Sequence, residues 1–71
     1  MTEVEQIKDE VLTLIDRYAG VCPTAVRNRM DDEYGQDNVT EAVQQLIERG
    51  VAMVDTINGK VLLVRGDAEA A

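Results

Sequence analysis

The residues equipped for covalent or metal chemistry are few. The chain has one cysteine, Cys22, and no histidine. Structural zinc sites are assembled mainly from Cys and His, so one Cys and no His argue strongly against a zinc centre, and an intrachain disulfide is excluded. The absence of His also removes Ser-His-Asp and Cys-His catalysis. The five glycines are scattered, so none forms a phosphate-cradling loop. Asp31-Asp32-Glu33 supplies three successive carboxylates, but without the spacing of a calcium loop, and reads as a solvated helix end. Cys22 stands beside Pro23 with no nearby base and reads as a small buried hydrophobe. No catalysis, cofactor or metal is expected. One polar concentration stands out: from Arg17 to Met30 there are three arginines (Arg17, Arg27, Arg29) and no acid.

Elsewhere the chain is acidic, with 14 Asp and Glu against 7 Lys and Arg, a formal net charge of −7. Phosphate neutralisation drives most nucleic-acid affinity, so this balance ordinarily argues against such a partner. Lysine appears only at Lys8 and Lys60, and Phe and Trp are absent, leaving Val, Leu, Ile and Ala to build the core. Acid-rich, lysine-poor composition resembles that of proteins from salt-loving archaea. There the Debye length shrinks to about 3 Å at 1 M salt, so net charge acts only at contact range. The alternative is an acidic surface that keeps a small protein soluble. With 71 residues there is room for one core, and chains this short bury only a little over half of their unfolded surface. Idealised packing or self-association must compensate. No apolar run approaches the roughly 20 residues of a membrane span, and the N-terminus has no signal pattern, so a cytoplasmic protein is expected.

The elements that must position any site follow from periodicity. Thr2-Glu3-Val4-Glu5 has the form of a capping box. Val4, Ile7, Val11, Leu14, Ile15 and Tyr18 then recur at three- and four-residue steps, the stripe of an amphipathic helix ending at Gly20. Leu12 lies off that stripe. Pro23-Thr24 opens a short second helix with Ala25, Val26 and Met30 on its apolar face, and Gly35 breaks it. Gly35-Gln36-Asp37 reads as the turn, with Asn38 or Asp37 capping a third helix whose buried stripe is Val39, Ala42, Val43, Leu46 and Ile47. Gly50 closes it. The period then shortens. Val51 to Ile57 is rich in β-branched residues, Asn58-Gly59 is a strong type I′ hairpin signal, and Lys60 to Arg65 is the returning strand. A two-residue turn pairs Ile57 with Lys60, Asp55 with Leu62, Val54 with Leu63 and Met53 with Val64. Residues 66–71 read as a disordered tail.

Helix, helix, turn, helix and then a hairpin is the order of the winged helix-turn-helix family. Residues "AVQQLIERGVAMV" resemble the end of that family's recognition helix running into its first wing strand. The resemblance covers residues 2–65, taken as one domain. It implies a mainly helical fold with three helices and a two- or three-stranded wing sheet. It implies a sequence-specific DNA-binding protein, a transcriptional regulator, whose residues 38 to 49 enter the major groove of double-stranded DNA. The reading residues would be Thr40, Glu41, Gln44 and Gln45, since Gln pairs bidentately with adenine, Thr meets the thymine methyl and Glu accepts from cytosine N4. Thr24, Arg27, Arg29 and Lys60 would lie against the backbone. A protein-interaction module in a replication, transcription or viral assembly uses the same fold, and an acidic mimic of DNA is a further alternative. Arg27 also stands four residues before Asp31, a spacing that permits an ion pair.

The hairpin carries apolar residues on both faces: Val51, Met53, Leu62 and Val64 on one, Ala52, Val54, Val61 and Leu63 on the other. A hairpin lying on helices needs only one apolar face. The second face calls for a third strand from the Val21-Cys22 link or for a homodimer through the hairpin or the first helix, where Leu12 is a further hint.

Overall fold

Thr2 starts the first helix, its Oγ1 accepting from the Glu5 amide at 3.2 Å. The computed structural model describes residues 2–67. It contains α1 (Glu3–Tyr18), α2 (Pro23–Tyr34), α3 (Gln36–Glu48), β1 (Ala52–Ile57) and β2 (Lys60–Arg65). Mainly helical with a two-stranded antiparallel hairpin at the end, this is a winged-helix-like arrangement. No described helix is long and apolar enough to cross a membrane. The capping box at Thr2 closes only half-way. Glu5 does not reach back to Thr2, and its carboxylate instead sits 2.9 Å from Lys8 Nζ. Ala19 takes the left-handed C-cap conformation at φ 56°, one residue before the glycine expected to do so.

The joint between α2 and α3 is shorter than the spacing predicts. Gly35 alone makes it, at φ 88° and ψ 141°, and α3 begins at Gln36 rather than near Asn38. A glycine tolerates this positive φ without a Cβ clash, so one residue suffices to redirect the chain. Asn38 is therefore inside the helix and does not cap it. Its Nδ2 donates to the Tyr34 carbonyl and to Glu3 Oε2, both at 2.9 Å.

The hairpin has the register expected from its turn: Ile57↔Lys60, Asp55↔Leu62, Val54↔Leu63 and Met53↔Val64. Asn58 and Gly59 both have positive φ, 54° and 77°, as a type I′ turn requires. The hairpin docks through its base, where Ala52 and Leu63 are buried. Val21 adds one bridge on the far side of β2, with Val21 N–H to the Leu63 carbonyl at 2.9 Å and Leu63 N–H to the Val21 carbonyl at 2.7 Å. This is a single bridge and not a third strand, because Pro23 starts α2 two residues later. Cys22 is accordingly the N-cap of α2 and is exposed, not buried.

The core joins all three helices to the hairpin base: Ile7, Val11, Ile15, Val26, Met30, Val39, Ala42 and Leu63 are essentially inaccessible. Burial of each large aliphatic side chain among them stabilises the fold by about 1.5–3 kcal/mol. α1 packs against α3, α2 and β2, so a wider arc of it is covered than a single stripe. That arc takes in Leu12, which is buried and offers no partner surface, while Tyr18 at the helix end is 63% exposed. Ala25 is exposed, Val43 is half-buried and Ile47 is exposed, so the apolar faces of α2 and α3 are narrower than predicted. The C-terminal segment does not fray at once. Gly66 donates to the Val51 carbonyl at 2.8 Å, and a methyl group at Gly66 would run into the Gly50 carbonyl oxygen. The remainder of the expected tail, 68–71, lies outside the described residues.

Candidate nucleic-acid interface

α2 begins abruptly because Pro23 occupies its first turn, where the missing amide costs nothing. By distance, Cys22 closes no side-chain cap bond with the first amides of α2. Those of Ala25 and then Thr24 lie near enough to the sulfur to hold the Cys22 thiol below its ordinary range, with a smaller contribution from Lys60. Cys22, Pro23, Thr24, Lys60, Val61 and Leu62 line one shallow depression between α2 and the hairpin.

On the other side of Pro23, α2 and α3 leave a groove. Arg27 flanks it from α2, and Thr40, Gln44 and Glu48 from α3, over a floor that includes Val43 and Ile47. Pro23 borders both depressions. Thr24 and Lys60 line the one, Arg27, Thr40 and Gln44 line the other, and all five are exposed. Among the described residues none of the five has an ion pair. The two salt bridges there are Lys8–Glu5 and Arg65–Asp16, so Arg27 does not pair with Asp31. Asp31 Oδ1 is instead a buried acceptor with no hydrogen-bond partner.

The other three expected site residues go elsewhere. Arg29 lies two positions from Arg27, about 200° around a helix. It lines the groove between α1 and α2 with Arg17, Asp9, Glu10 and Glu33. Both ends of the Gln45 amide are engaged inside the molecule: Oε1 accepts from Lys8 Nζ at 3.0 Å, and Nε2 donates to Glu41 Oε1 at 3.3 Å. Gln45 is thus a strut between α1 and α3, with Glu41 bonded to it. Of the four residues expected to read bases, Thr40 and Gln44 line the α2–α3 groove.

Lys8 is the residue that sequence reasoning missed. It is 5% exposed. Its stem lies in the α1 face that packs on α3, and its ammonium is held by Gln45 and Glu5. The signal was its place beside Ile7 and one turn before Val11 and Leu12, where a long side chain buries its methylenes and keeps its charge at the edge.

The electrostatics of the interface are mixed. α3 contains Asp37, Glu41 and Glu48 and no cation, and Arg49 follows at its C-cap. The cations near the groove come from α2 and the hairpin turn. Comparison with protein-family models, curated proteins and solved structures returns no match.

Proposed function

We propose that the chain is a winged-helix protein that binds double-stranded DNA sequence-specifically and acts as a transcriptional regulator, with α3 in the major groove. The observation that carries this reading is the convergence of Thr24, Arg27, Thr40, Gln44 and Lys60 around Pro23. Thr40 and Gln44 read base edges, Gln44 by a bidentate bond to adenine and Thr40 against a thymine methyl. Arg27, Lys60 and Thr24 fix the register on phosphates.

The acids set the conditions. With Arg27 and Lys60 as the cations beside the two depressions, about two phosphates are neutralised per copy, and the counterion-release part of the log–log salt slope is only about −2. The net charge of −7 repels DNA most at low ionic strength, where the Debye length is about 30 Å at 0.01 M, against about 3 Å at 1 M. Counterion release and relief of this repulsion act in opposite directions as salt rises, and the second outweighs the first here, so binding rests on hydrogen bonds and shape and is strongest at high salt.

Selection from a random DNA pool at 0.05 M and 2 M salt tests this. An enriched sequence is expected at 2 M. Gln44→Ala then relaxes discrimination at one position by about 1–3 kcal/mol, whereas Arg27→Ala weakens all sequences alike. Absence of any enriched sequence at both salts overturns the reading.

A second reading has its own observation. The α2–α3 groove is floored by Pro23, Val43 and Ile47 and rimmed by Glu48, a combination suited to an apolar anchor on a basic protein partner. Ile47→Ser separates the two: it removes the anchor site and leaves Arg27, Thr40 and Gln44 in place.

A further inference from the structure

The outer edge of β1 is an unpaired strand edge. Leu63 turns its N–H and carbonyl toward Val21, away from β1. Val54 is directly opposite Leu63, so this is a non-hydrogen-bonded pair, and the Val54 N–H and carbonyl point away from β2. Alternation puts the corresponding groups of Ala52 and Thr56 on the same edge. The Thr56 N–H is taken by Asp55 Oδ1 at 2.9 Å, whereas the Val54 groups have no partner among the described residues. Natural edges are usually blunted by Lys, Pro or a bulge. β1, Ala-Met-Val-Asp-Thr-Ile, has none of these and carries one charge.

The side chains around that edge are apolar on both faces. Met53 and Ile57 are 46% and 43% exposed on one face, Val54 and Val61 both 49% exposed on the other. They make up four of the six exposed large hydrophobic residues among those described. From β1 to the start of β2, Asp55 is matched by Lys60, so the hairpin is locally neutral on a chain of net charge −7. Two copies repel each other least there.

We propose that two copies of this chain pair antiparallel along β1, about a two-fold axis at Val54, to form a four-stranded sheet. The register follows from charge and from bonding already made. Centring on Asp55 would set it against its own copy, and like charges directly opposite are destabilising. Centring on Thr56 would put the two Thr56 amides that Asp55 holds at the axis itself, whereas centring on Val54 moves them to the ends of the pairing, opposite Ala52, where each exchanges Asp55 Oδ1 for a carbonyl. Centring on Val54 sets Val54 against Val54, Met53 against Asp55 and Ala52 against Thr56, with no like-charge pair. A standard interface removes about 800 Å² per partner. The exposed faces at Met53, Val54, Ile57 and Val61 extend the contact beyond the strand edge toward that size. This assembly does not depend on what α3 recognises.

Sedimentation of the full chain in 2 M salt over a concentration series tests the pairing. The wild-type chain is expected to run at twice the chain mass and to dissociate on dilution. Val54→Lys and Val54→Glu, each on an exposed position, raise the dissociation constant about tenfold or more, because the new charge faces its own copy. An equimolar mixture of the two restores the dimer, which no change in folding of either variant alone would do. A wild-type chain that stays monomeric up to millimolar concentration overturns the proposal. So does a Val54→Lys chain that dimerises as well as the wild type, or a mixture that fails to recover.

Discussion

The side of α3 turned toward α1 and the side turned toward α2 put similar residues to different uses. Toward α1, Gln45 accepts from Lys8 and donates to Glu41, and Asn38 bridges Tyr34 and Glu3. Toward α2, Thr40, Gln44 and Arg27 stand around an open groove and bond to no other side chain among the described residues. Gln44 and Gln45 are neighbours of the same type, one helical step of about 100° apart. One is a structural strut and the other makes no side-chain hydrogen bond among the described residues. What lies across the gap decides: a lysine with a buried stem on one side, a proline-led helix start on the other.

This comparison is most exposed to Lys8→Ala. It removes a buried stem and strips Gln45 of its donor, so a loss of about 1–3 kcal/mol is expected in urea unfolding. A loss within experimental error would show that the α1 side is not stitched. Gln45→Ala follows at about 1 kcal/mol. A double-mutant cycle with Lys8→Ala is expected to give a coupling of at least about 0.5 kcal/mol, whereas additive losses would deny the contact. Gln44→Ala and Thr40→Ala are expected to change stability by no more than about 0.5 kcal/mol. Were Gln44→Ala as costly as Gln45→Ala, the distinction between the two sides would fail.

The smallest effect is in acid. The Lys8 ammonium beside Glu5, and the Arg65 guanidinium bonded to Asp16 at 2.9 Å, hold both carboxyls below their ordinary range. A lowered folded pKa adds stability above the group's unfolded pKa, and that stability is lost as pH falls through the folded value. Both groups are exposed and screened, so the contribution is small. The difference between the wild type and Asp16→Asn is expected to be measurable near neutrality and to vanish in acid. A difference that grows with acidity would contradict the pairing.

Much of the framework was legible from local signals. Thr2 opens α1, Pro23 opens α2, and Asn58-Gly59 sets a hairpin whose strand partners match the spacing. Each is a short-range device, a cap, a ring-fixed φ or a positive-φ turn, and acts through its immediate neighbours. The misread places involve residues far apart in the chain. Leu12 and Tyr18 exchanged roles because α1 is covered by three elements. Cys22 turned outward because Val21 alone pairs with β2. Gly35 sufficed where three residues were allotted, and with the helix starting earlier, Asn38 turned from a cap into a tie to Glu3. For the candidate site, exposure on α3 was predictable from its period, but which exposed residues remained unbonded was not.

By itself the sequence determined three helices, a two-residue hairpin with its register, and a chain without the residues for an intrachain disulfide or histidine-based catalysis. These depend on residue type and on spacings of a few residues. Only the tertiary structure decided that Gln45 and Glu41 belong to the α1 contact, and that Arg27 and Arg29 lie on different grooves. It alone gathered Thr24 and Lys60 with Thr40 and Gln44 around Pro23. Helical period gives the direction in which a side chain leaves its own axis. Whether it then meets a lysine, another helix or open solvent is set by segments far along the chain, 37 residues away in the case of Lys8 and Gln45.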